Sequence, residues 1–130
     1  MARPRNDNPT PAELEVLKVI WENGPATVRE VLEVLHPRDE RAYTSVMSLM
    51  NVMADKGLLQ RKPKGRAFIY AAKAKKEKTL GRMVGDLLGR AYEGSASALV
   101  THVLEHANPT DEELAAIREA IENFKVDGTN

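Results

Sequence analysis

Two helix-start signals near the beginning of the chain constrain its fold more than any other feature. Thr10 and Glu13 stand at the spacing of a capping box, and so do Thr27 and Glu30. Each box precedes apolar residues at helical spacing. A third amphipathic stretch runs from Ala42 to Lys56. The first part of the chain is therefore predicted to form three short helices in succession.

The spacing of apolar residues changes after Gly57 from a helical pattern to that of strands. The segments Leu58–Lys62 and Arg66–Ala71 read as strands and flank Pro63–Gly65, where proline presets φ and glycine accepts a positive φ. We therefore predict a β-hairpin directly after the third helix. Three helices followed by a hairpin make a winged helix, in which the third helix enters the DNA major groove and the hairpin, or wing, lies along the adjacent backbone.

The polar face of the third helix is small and almost free of acidic residues. Its members are Thr44, Ser45, Ser48 and Asn51, opposite an apolar face of Val46, Leu49, Met50 and Met53. A helix in a major groove needs short side chains that approach base edges without repelling phosphates. By itself such a face is more often that of a helix that only packs, so the flanking residues decide the interpretation.

Charge is distributed unevenly along a chain whose formal net charge is zero. Residues 56–82 carry ten basic residues and one acidic residue, a local net charge of +9, whereas residues 93–130 have a net charge of −6. A basic block beside the candidate recognition helix indicates phosphate contacts, although Lys73–Lys78 alone is also typical of a solvated helix start. The placement of the charge favours nucleic-acid binding.

Three more amphipathic helices are predicted after Lys75, and they carry more apolar surface than one small winged domain can cover. We therefore expect a homodimer. The candidate dimerisation residues are Leu80, Val84, Leu87, Leu88, Ile117 and Ile121. The predicted fold class is mainly α, an α+β winged helix, with a DNA-binding domain at 1–72 and a helical dimerisation domain at 73–130.

Gly81, Gly85 and Gly89 stand four residues apart on one flank of the first of these helices. Each glycine in a helix interior costs about 1 kcal/mol relative to alanine. A close crossing with another helix and tolerated local flexibility are two explanations that the sequence leaves open.

Several classes of function are excluded or disfavoured by what the sequence lacks. Without cysteine there are no disulfides, thiolate metal sites or cysteine nucleophiles. No apolar run approaches the length of about 20 residues that a membrane-spanning helix needs, and the first residues lack the apolar core of a signal peptide. We expect a cytoplasmic protein that is not an enzyme and that needs no cofactor, with no membrane association.

One motif argues for an enzyme. His102 to His106 match H-x-x-E-H, in which two histidines one helical turn apart bind zinc and the intervening Glu105 activates water. The motif is short, no third ligand is evident downstream, and the chain leaves little room for a substrate cleft. Two histidines at this spacing are also compatible with an incidental or regulatory metal site. Histidines that face solvent or an interface are the preferred interpretation, so no metal site is predicted.

The segments TPAELEVLKVIWENGPATVREVLEVL, AYTSVMSLMNVMADKGLLQRK and GRAFIYAA resemble the BlaI/MecI family of bacterial penicillinase repressors, and the similarity extends from Thr10 to Phe124. This resemblance implies a winged-helix repressor that dimerises through its C-terminal helices and binds a palindromic operator. It also implies release from the operator when a penicillin-sensing protease system causes the repressor to be cut.

The resemblance also assigns roles to particular residues. Carried over by position, the family's recognition-helix contacts fall on Thr44, Ser45 and Ser48, and its wing contacts fall on residues 62–66. The full set of predicted DNA-binding residues is Tyr43, Thr44, Ser45, Met47 and Ser48 on the third helix, and Lys62, Lys64 and Arg66 on the wing. Some family members carry a basic residue at the position of Met47, so operator preference is expected to differ.

The family's cut site, an Asn-Phe bond, aligns with His102-Val103, so the candidate cleavage bond of this chain differs from the family's in both residues. The copper-responsive branch of the family uses a cysteine cluster that this chain lacks. We therefore expect no copper response of that kind in this protein.

Two hypotheses from different classes follow. The first is a homodimeric transcriptional repressor that binds double-stranded DNA, possesses a regulatory protease partner and controls antibiotic-resistance genes. The second is a winged-helix module that binds protein. Only the first requires Lys62, Lys64 and Arg66 to cluster at a hairpin tip, and only the first predicts a steep dependence of affinity on salt.

Overall fold

Both capping boxes form in the computed structural model, which describes residues 8–128 and the side chains through residue 124. α1 spans Pro11–Asn23 and α2 spans Val28–Leu35. The Thr10 hydroxyl accepts from the backbone N–H of Glu13 at 3.2 Å, and the Glu13 carboxylate accepts from the backbone N–H of Thr10 at 2.9 Å. The same reciprocal bonds cap α2. The two predicted helix starts are confirmed.

α3 spans Tyr43–Lys56 and follows a 3₁₀ turn at Glu40–Ala42. It ends at Gly57, whose φ of 86° is left-handed. The backbone N–H of Leu58 donates to the Met53 carbonyl at 2.9 Å, and the N–H of Gly57 donates to Ala54. These two bonds form a Schellman motif, which satisfies the last carbonyls of the helix. The third helix therefore ends at a defined residue, directly before the hairpin begins.

A three-stranded antiparallel sheet follows, in the order β1-β3-β2. β1 is Ala26–Thr27, β2 is Leu59–Lys64 and β3 is Ala67–Ala72. The predicted hairpin is confirmed as β2 and β3, but β1 was not predicted. A strand of two residues is too short for a period to reveal it.

The hairpin turn lies further along the chain than the sequence suggested. Lys64 pairs with Ala67, so Gly65 and Arg66 form the turn, and Gly65 has a φ of 61°. A glycine with positive φ at the first central position is typical of a type II′ turn. Pro63 lies inside β2, which is an edge strand, where the missing N–H is tolerated.

The buried core belongs to α1, α2, α3 and the sheet. Its largest fully buried side chains are Val16, Leu17, Val31, Leu32, Met50, Met53, Leu59 and Tyr70. Burial of each such side chain contributes about 1.5–3 kcal/mol. This core fixes α3 against the other two helices and leaves its remaining face exposed.

α4 spans Lys76–Ala91, and its first residues remain attached to the winged-helix core. The Trp21 Nε1–H donates to the Ala74 carbonyl at 2.8 Å, and Thr79 is buried. The chain divides into two compact units between Val84 and Gly85. The predicted domain boundary after residue 72 stays a prediction.

The second unit contains the end of α4, α5 at Ala96–Ala107 and α6 at Asp111–Gly128. Thr110 and Glu113 form a capping box at the start of α6. From residue 85 to residue 124 no residue is buried. Several large apolar side chains of this unit are exposed, namely Leu87, Val100, Val103, Ile121 and Phe124.

Within residues 8–128, none of the helices is both long enough and apolar enough to cross a membrane.

Candidate nucleic-acid interface

The side chains of α3 that are predicted to contact base edges are exposed. Thr44, Ser45, Met47 and Ser48 all lie on the surface. These four side chains present two kinds of groups, small hydroxyls and one thioether, and the first carboxylate of α3 is that of Asp55 in its last turn. Hydroxyls donate and accept hydrogen bonds at base edges, and a methionine contacts apolar groups such as the thymine methyl. We call Thr44, Ser45, Met47 and Ser48 the reading face.

Tyr43, at the first position of α3, is half-buried and contacts the helix before it. The Arg29 guanidinium lies 4.9 Å from the centre of the Tyr43 ring, in the geometry of a cation–π contact. Arg29 also lies 3.9 Å from Glu40, a distance at which an exposed pair contributes little. Tyr43 therefore orients an arginine at the edge of the reading face.

The position of Asn51 on the polar face of α3 suggests an exposed side chain, but the side chain contacts the hairpin. It is half-buried, and its Oδ1 accepts hydrogen bonds from the Tyr70 hydroxyl at 2.8 Å and from Arg61 Nη1 at 2.6 Å. One side chain of α3 is thus bonded to both strands of the hairpin. Asn51 couples the position of the wing to the reading face.

The alternation of the hairpin separates its basic residues. Arg61 pairs with Tyr70 and points toward α3, where it also lies 5.3 Å from the Phe68 ring centre. Because successive strand residues point to opposite faces, Lys62 and Lys64 lie on the other side of the hairpin from Arg61. The predicted wing cluster is therefore distributed over two faces.

Arg66, in the turn, lies on the α3 side. Together with Arg29 and Arg61 it lines a cavity of about 400 Å³ between α3 and the hairpin. Further lining residues are Tyr43, Met47, Asn51 and Phe68. No acidic residue lines this cavity, which we call the arginine groove. Guanidinium groups match phosphate oxygens through paired N–H donors, so the groove is suited to a backbone phosphate next to the reading face.

Lys64 lies near the first turn of α2. The pKa of Glu30 is lowered mainly by the hydrogen bond from the Thr27 backbone N–H, with smaller contributions from the Thr27 hydroxyl and from the charge of Lys64. The charge of Lys64 thus acts on the carboxylate of the second capping box, and Lys64 itself is exposed.

Two arginines of the site were not predicted from the sequence. Arg29 lies in the first turn of α2, and Arg61 was counted only in the basic block. For Arg61 the strand alternation offered a signal, because Arg61 shares a face with Tyr70 once the hairpin register is known. The register itself depends on the turn, whose position the sequence placed two residues too early.

The candidate dimerisation residues lie at the surface of the chain. Leu80, Leu88 and Ile117 are half-buried, whereas Val84, Leu87 and Ile121 are exposed, at 53%, 47% and 56%. For the three glycines of α4, a Cβ atom would meet no other described part of the chain within 4 Å. Packing within the described chain therefore does not account for these glycines.

His102 and Val103, the candidate cleavage bond, lie in the middle of α5. The Nδ1 atom of His102 is 2.9 Å from the Tyr92 hydroxyl, and the Nδ1 of His106 is 2.9 Å from the His102 carbonyl. Among the described side chains, no group of three or more potential metal-ligating residues of the His, Cys, Asp and Glu types occurs. The histidines of the H-x-x-E-H motif are thus engaged in bonds of the second unit.

The comparisons with known proteins agree with this geometry. The family model described as penicillinase repressor matches residues 9–123. The penicillinase repressor of Bacillus licheniformis is 26% identical over 88% of this chain and 89% of its own length. The transcriptional regulator BlaI of Mycobacterium tuberculosis is 32% identical over 84% of this chain and 79% of its own length.

A more distant relative is the methicillin resistance regulatory protein MecI of Mammaliicoccus sciuri, 21% identical over 82% of this chain and 87% of its own length. The family match covers the winged helix and most of the second unit together. The chain therefore belongs to the BlaI/MecI family of penicillinase repressors, which are transcriptional repressors and not enzymes.

Proposed function

We propose that the protein is a homodimeric repressor that binds a palindromic operator, with one winged helix on each half-site. The observation that carries the proposal is the exposed, carboxylate-free reading face of α3 beside the arginine groove. Family membership supports DNA binding in general. The arrangement of α3 and the wing supports the specific roles given below.

In this proposal the reading face contacts base edges. Thr44, Ser45 and Ser48 supply short hydrogen-bonding groups, and Met47 supplies an apolar contact where a longer basic side chain would reach further. Side chains of this length require close approach of the helix to the bases. Such an approach is compatible with the absence of carboxylates from the face, because no charge on it repels the phosphates.

The wing and the arginine groove supply phosphate contacts. Arg61 and Arg66 face the groove, whereas Lys62 and Lys64 face away from it, so the hairpin presents cations on both of its sides. A hairpin beside a major groove has DNA backbone near more than one of its edges. Phosphate contacts on both sides fix the register of α3 without reading sequence.

The second unit supplies the dimer. Its apolar side chains, including Leu87 and Ile121, are exposed in the single chain. A second copy that covers them gains hydrophobic free energy of about 25 cal/mol for each Å² of apolar surface removed from water. Two-fold symmetry would then match a palindromic operator, with half-sites about one helical turn or a multiple apart.

Release from the operator is proposed to follow proteolysis or another signal that separates the two subunits. A cut at His102-Val103 would divide α5 and detach α6 from the remainder of the second unit. Because the bond lies in a hydrogen-bonded helix, a protease would need α5 to open locally before it could act. The regulated genes are proposed to include genes of a β-lactam response.

Genomic footprinting followed by titration of an occupied site tests the proposal. We expect two protected half-sites of similar sequence, binding of one dimer, and an affinity that falls steeply with salt. Protection of a single unrepeated site would contradict the dimeric mode. Salt-independent binding to another protein, with no occupied DNA, would favour the alternative of a protein-interaction module.

A further inference from the structure

A second cavity lies at the other end of α3, away from the arginine groove. It has a volume of about 680 Å³ and lies between the last turn of α3, the residues that follow β3 and the first turns of α4. This volume is within the range of about 300–1,000 Å³ that is usual for small-molecule sites. We call it the basic cleft.

Cations dominate the lining of the basic cleft. Its basic members are Lys56, Lys73, Lys75, Lys78 and Arg82, and its acidic member is Asp55. Lys56 is engaged with Glu13, but the other four form no salt bridge with any described residue. Four unneutralised cations around one concave surface attract an anion.

Several backbone groups around the cleft are already hydrogen-bonded within the chain. The Leu58 carbonyl accepts from the N–H groups of Lys73 and Ala74, and the Ala74 carbonyl accepts from Trp21. Gly57 and Leu58 already close the end of α3. The first N–H groups of α4 have no acceptor within the helix, so they remain available beside the side chains of the cleft.

Thr79 is the buried polar side chain of this lining. The residue is 4% exposed, and no hydrogen bond joins its hydroxyl to another described residue. The hydroxyl oxygen retains some accessible surface, so it is available to donate a hydrogen bond to a ligand in the cleft. The cleft thus combines free cations with a hydroxyl donor.

We propose that the basic cleft binds a small anion that carries phosphate or carboxylate groups. The anion would contact Lys78 and Arg82 and would accept a hydrogen bond from the Thr79 hydroxyl. Val52, Leu58 and Ala74 also line the cleft and provide apolar surface for the rest of such a molecule. Duplex DNA is a poorer fit, because its outward phosphates reach exposed lysines more easily than the side chain of a residue that is 4% exposed. The proposal does not depend on the operator-binding roles given above.

Backbone NMR spectra of the full chain, titrated with three probes, test the proposal. The probes are inorganic phosphate, ADP and adipate. We expect saturable shifts confined to residues 55–58 and 73–82. Saturation with phosphate and ADP alone identifies a phosphate ligand, and saturation with adipate alone identifies a carboxylate ligand. Shifts that do not saturate, or that are as large in the wing, would overturn the proposal.

Matched variants separate a built site from general surface charge. The pair Lys78→Gln/Arg82→Gln should weaken binding of the effective probe by about tenfold or more, because charge-assisted hydrogen bonds are lost. The wing pair Lys62→Gln/Lys64→Gln removes the same charge and should leave probe affinity unchanged. Equal weakening by the two pairs would overturn the proposal.

Thr79 offers the sharpest comparison. Thr79→Val keeps the shape of the side chain and should reduce probe affinity severalfold, whereas Thr79→Ser should retain it. Thermal unfolding checks that both variants are folded. If the cleft pair Lys78→Gln/Arg82→Gln leaves probe binding intact but lowers affinity for duplex DNA, the cleft is a DNA-backbone contact and the proposal is wrong.

Discussion

The Lys56 ammonium lies 2.9 Å from both carboxylate oxygens of Glu13 and so joins the last turn of α3 to the first turn of α1. Glu13 is 3% exposed, and the same carboxylate also caps α1 through Thr10. One side chain therefore closes the start of α1 and anchors the end of α3. This pair, between residues 43 positions apart, is the clearest polar link between the two helices.

The first prediction concerns the strength of that link. Lys56→Met should reduce the free energy of unfolding by roughly 1–3 kcal/mol, because it leaves a buried carboxylate with fewer partners. Glu13→Gln keeps the capping pattern, since glutamine also serves at this position. Chemical denaturation of both single variants and the double variant gives the coupling energy.

The exposed pair Lys18–Glu15, at 3.1 Å, is the matched control. Lys18→Met should change the free energy of unfolding by less than about 0.5 kcal/mol, because both partners remain in water. A coupling energy near zero for Glu13 and Lys56 would show that their contact does not hold α3.

The second prediction is the pH dependence of the same link. Burial raises the pKa of Glu13, but the hydrogen bond and charge of Lys56 and the hydrogen bonds with Thr10 together outweigh it, so the pKa lies below its ordinary value of 4.5. A lowered pKa in the folded state means that the unfolded state binds the proton first on acidification. The stabilisation is complete well above pH 4.5 and is lost as pH falls through the lower, folded-state pKa.

Denaturation of the wild type and of Glu13→Gln between neutral and acidic pH measures this loss. The difference in unfolding free energy between the two should shrink as pH falls. A difference that stays constant across this range would contradict the assigned shift.

The third prediction separates sequence reading from phosphate binding. Ser48→Ala should cost about 1–3 kcal/mol of specific binding at one operator position and leave random DNA nearly unaffected. Lys64→Ala should weaken both alike and reduce the salt slope by about one unit. Titrations of operator and random duplex at several salt concentrations measure both effects, and equal sequence-independent losses would reject the assigned roles.

The fourth prediction concerns Asn51. Asn51→Ala should weaken DNA binding severalfold, because it frees Arg61 from its fixed position beside the reading face. Tyr70→Phe removes the other bond to Asn51 and leaves the Arg61 bond intact. It should cost about 0.5–1.5 kcal/mol of stability and leave DNA affinity unchanged. Operator titration and denaturation of both variants decide the point, and wild-type affinity for Asn51→Ala would dismiss this role.

The fifth prediction concerns the dimer. Leu87→Asp combined with Ile121→Asp places charges on two exposed apolar positions, so the single chain should still fold but should sediment as a monomer. Without a linked second domain, affinity for the full palindrome should fall by about 10² to 10⁴. Glu112→Gln, at an exposed position of α6, is the control and should remain dimeric. A doubly substituted protein that stays dimeric would require another interface.

The starts and ends of several helices in this protein are determined by residues that are neighbours in the sequence. Thr10 with Glu13 and Thr27 with Glu30 set two helix starts through bonds that span three residues, and Gly57 ends α3 through bonds that span three to five. Such interactions depend on neighbours in the sequence. The spacing of particular residue types and the helical period of the apolar residues were therefore sufficient to predict them. The exposed hydroxyl face of α3 follows for the same reason, because the period of one helix assigns its buried side.

The distribution of side chains around the site was decided by tertiary structure. Asn51 meets Tyr70 and Arg61 only because the hairpin packs back onto α3, and the type II′ turn at Gly65 sets which basic residues share the α3 side of the hairpin. A shift of one residue in that register would exchange Arg61 for Lys62 on this side. Pairing between distant segments depends on the free energy of the whole packed domain. Local sequence patterns therefore do not predict it.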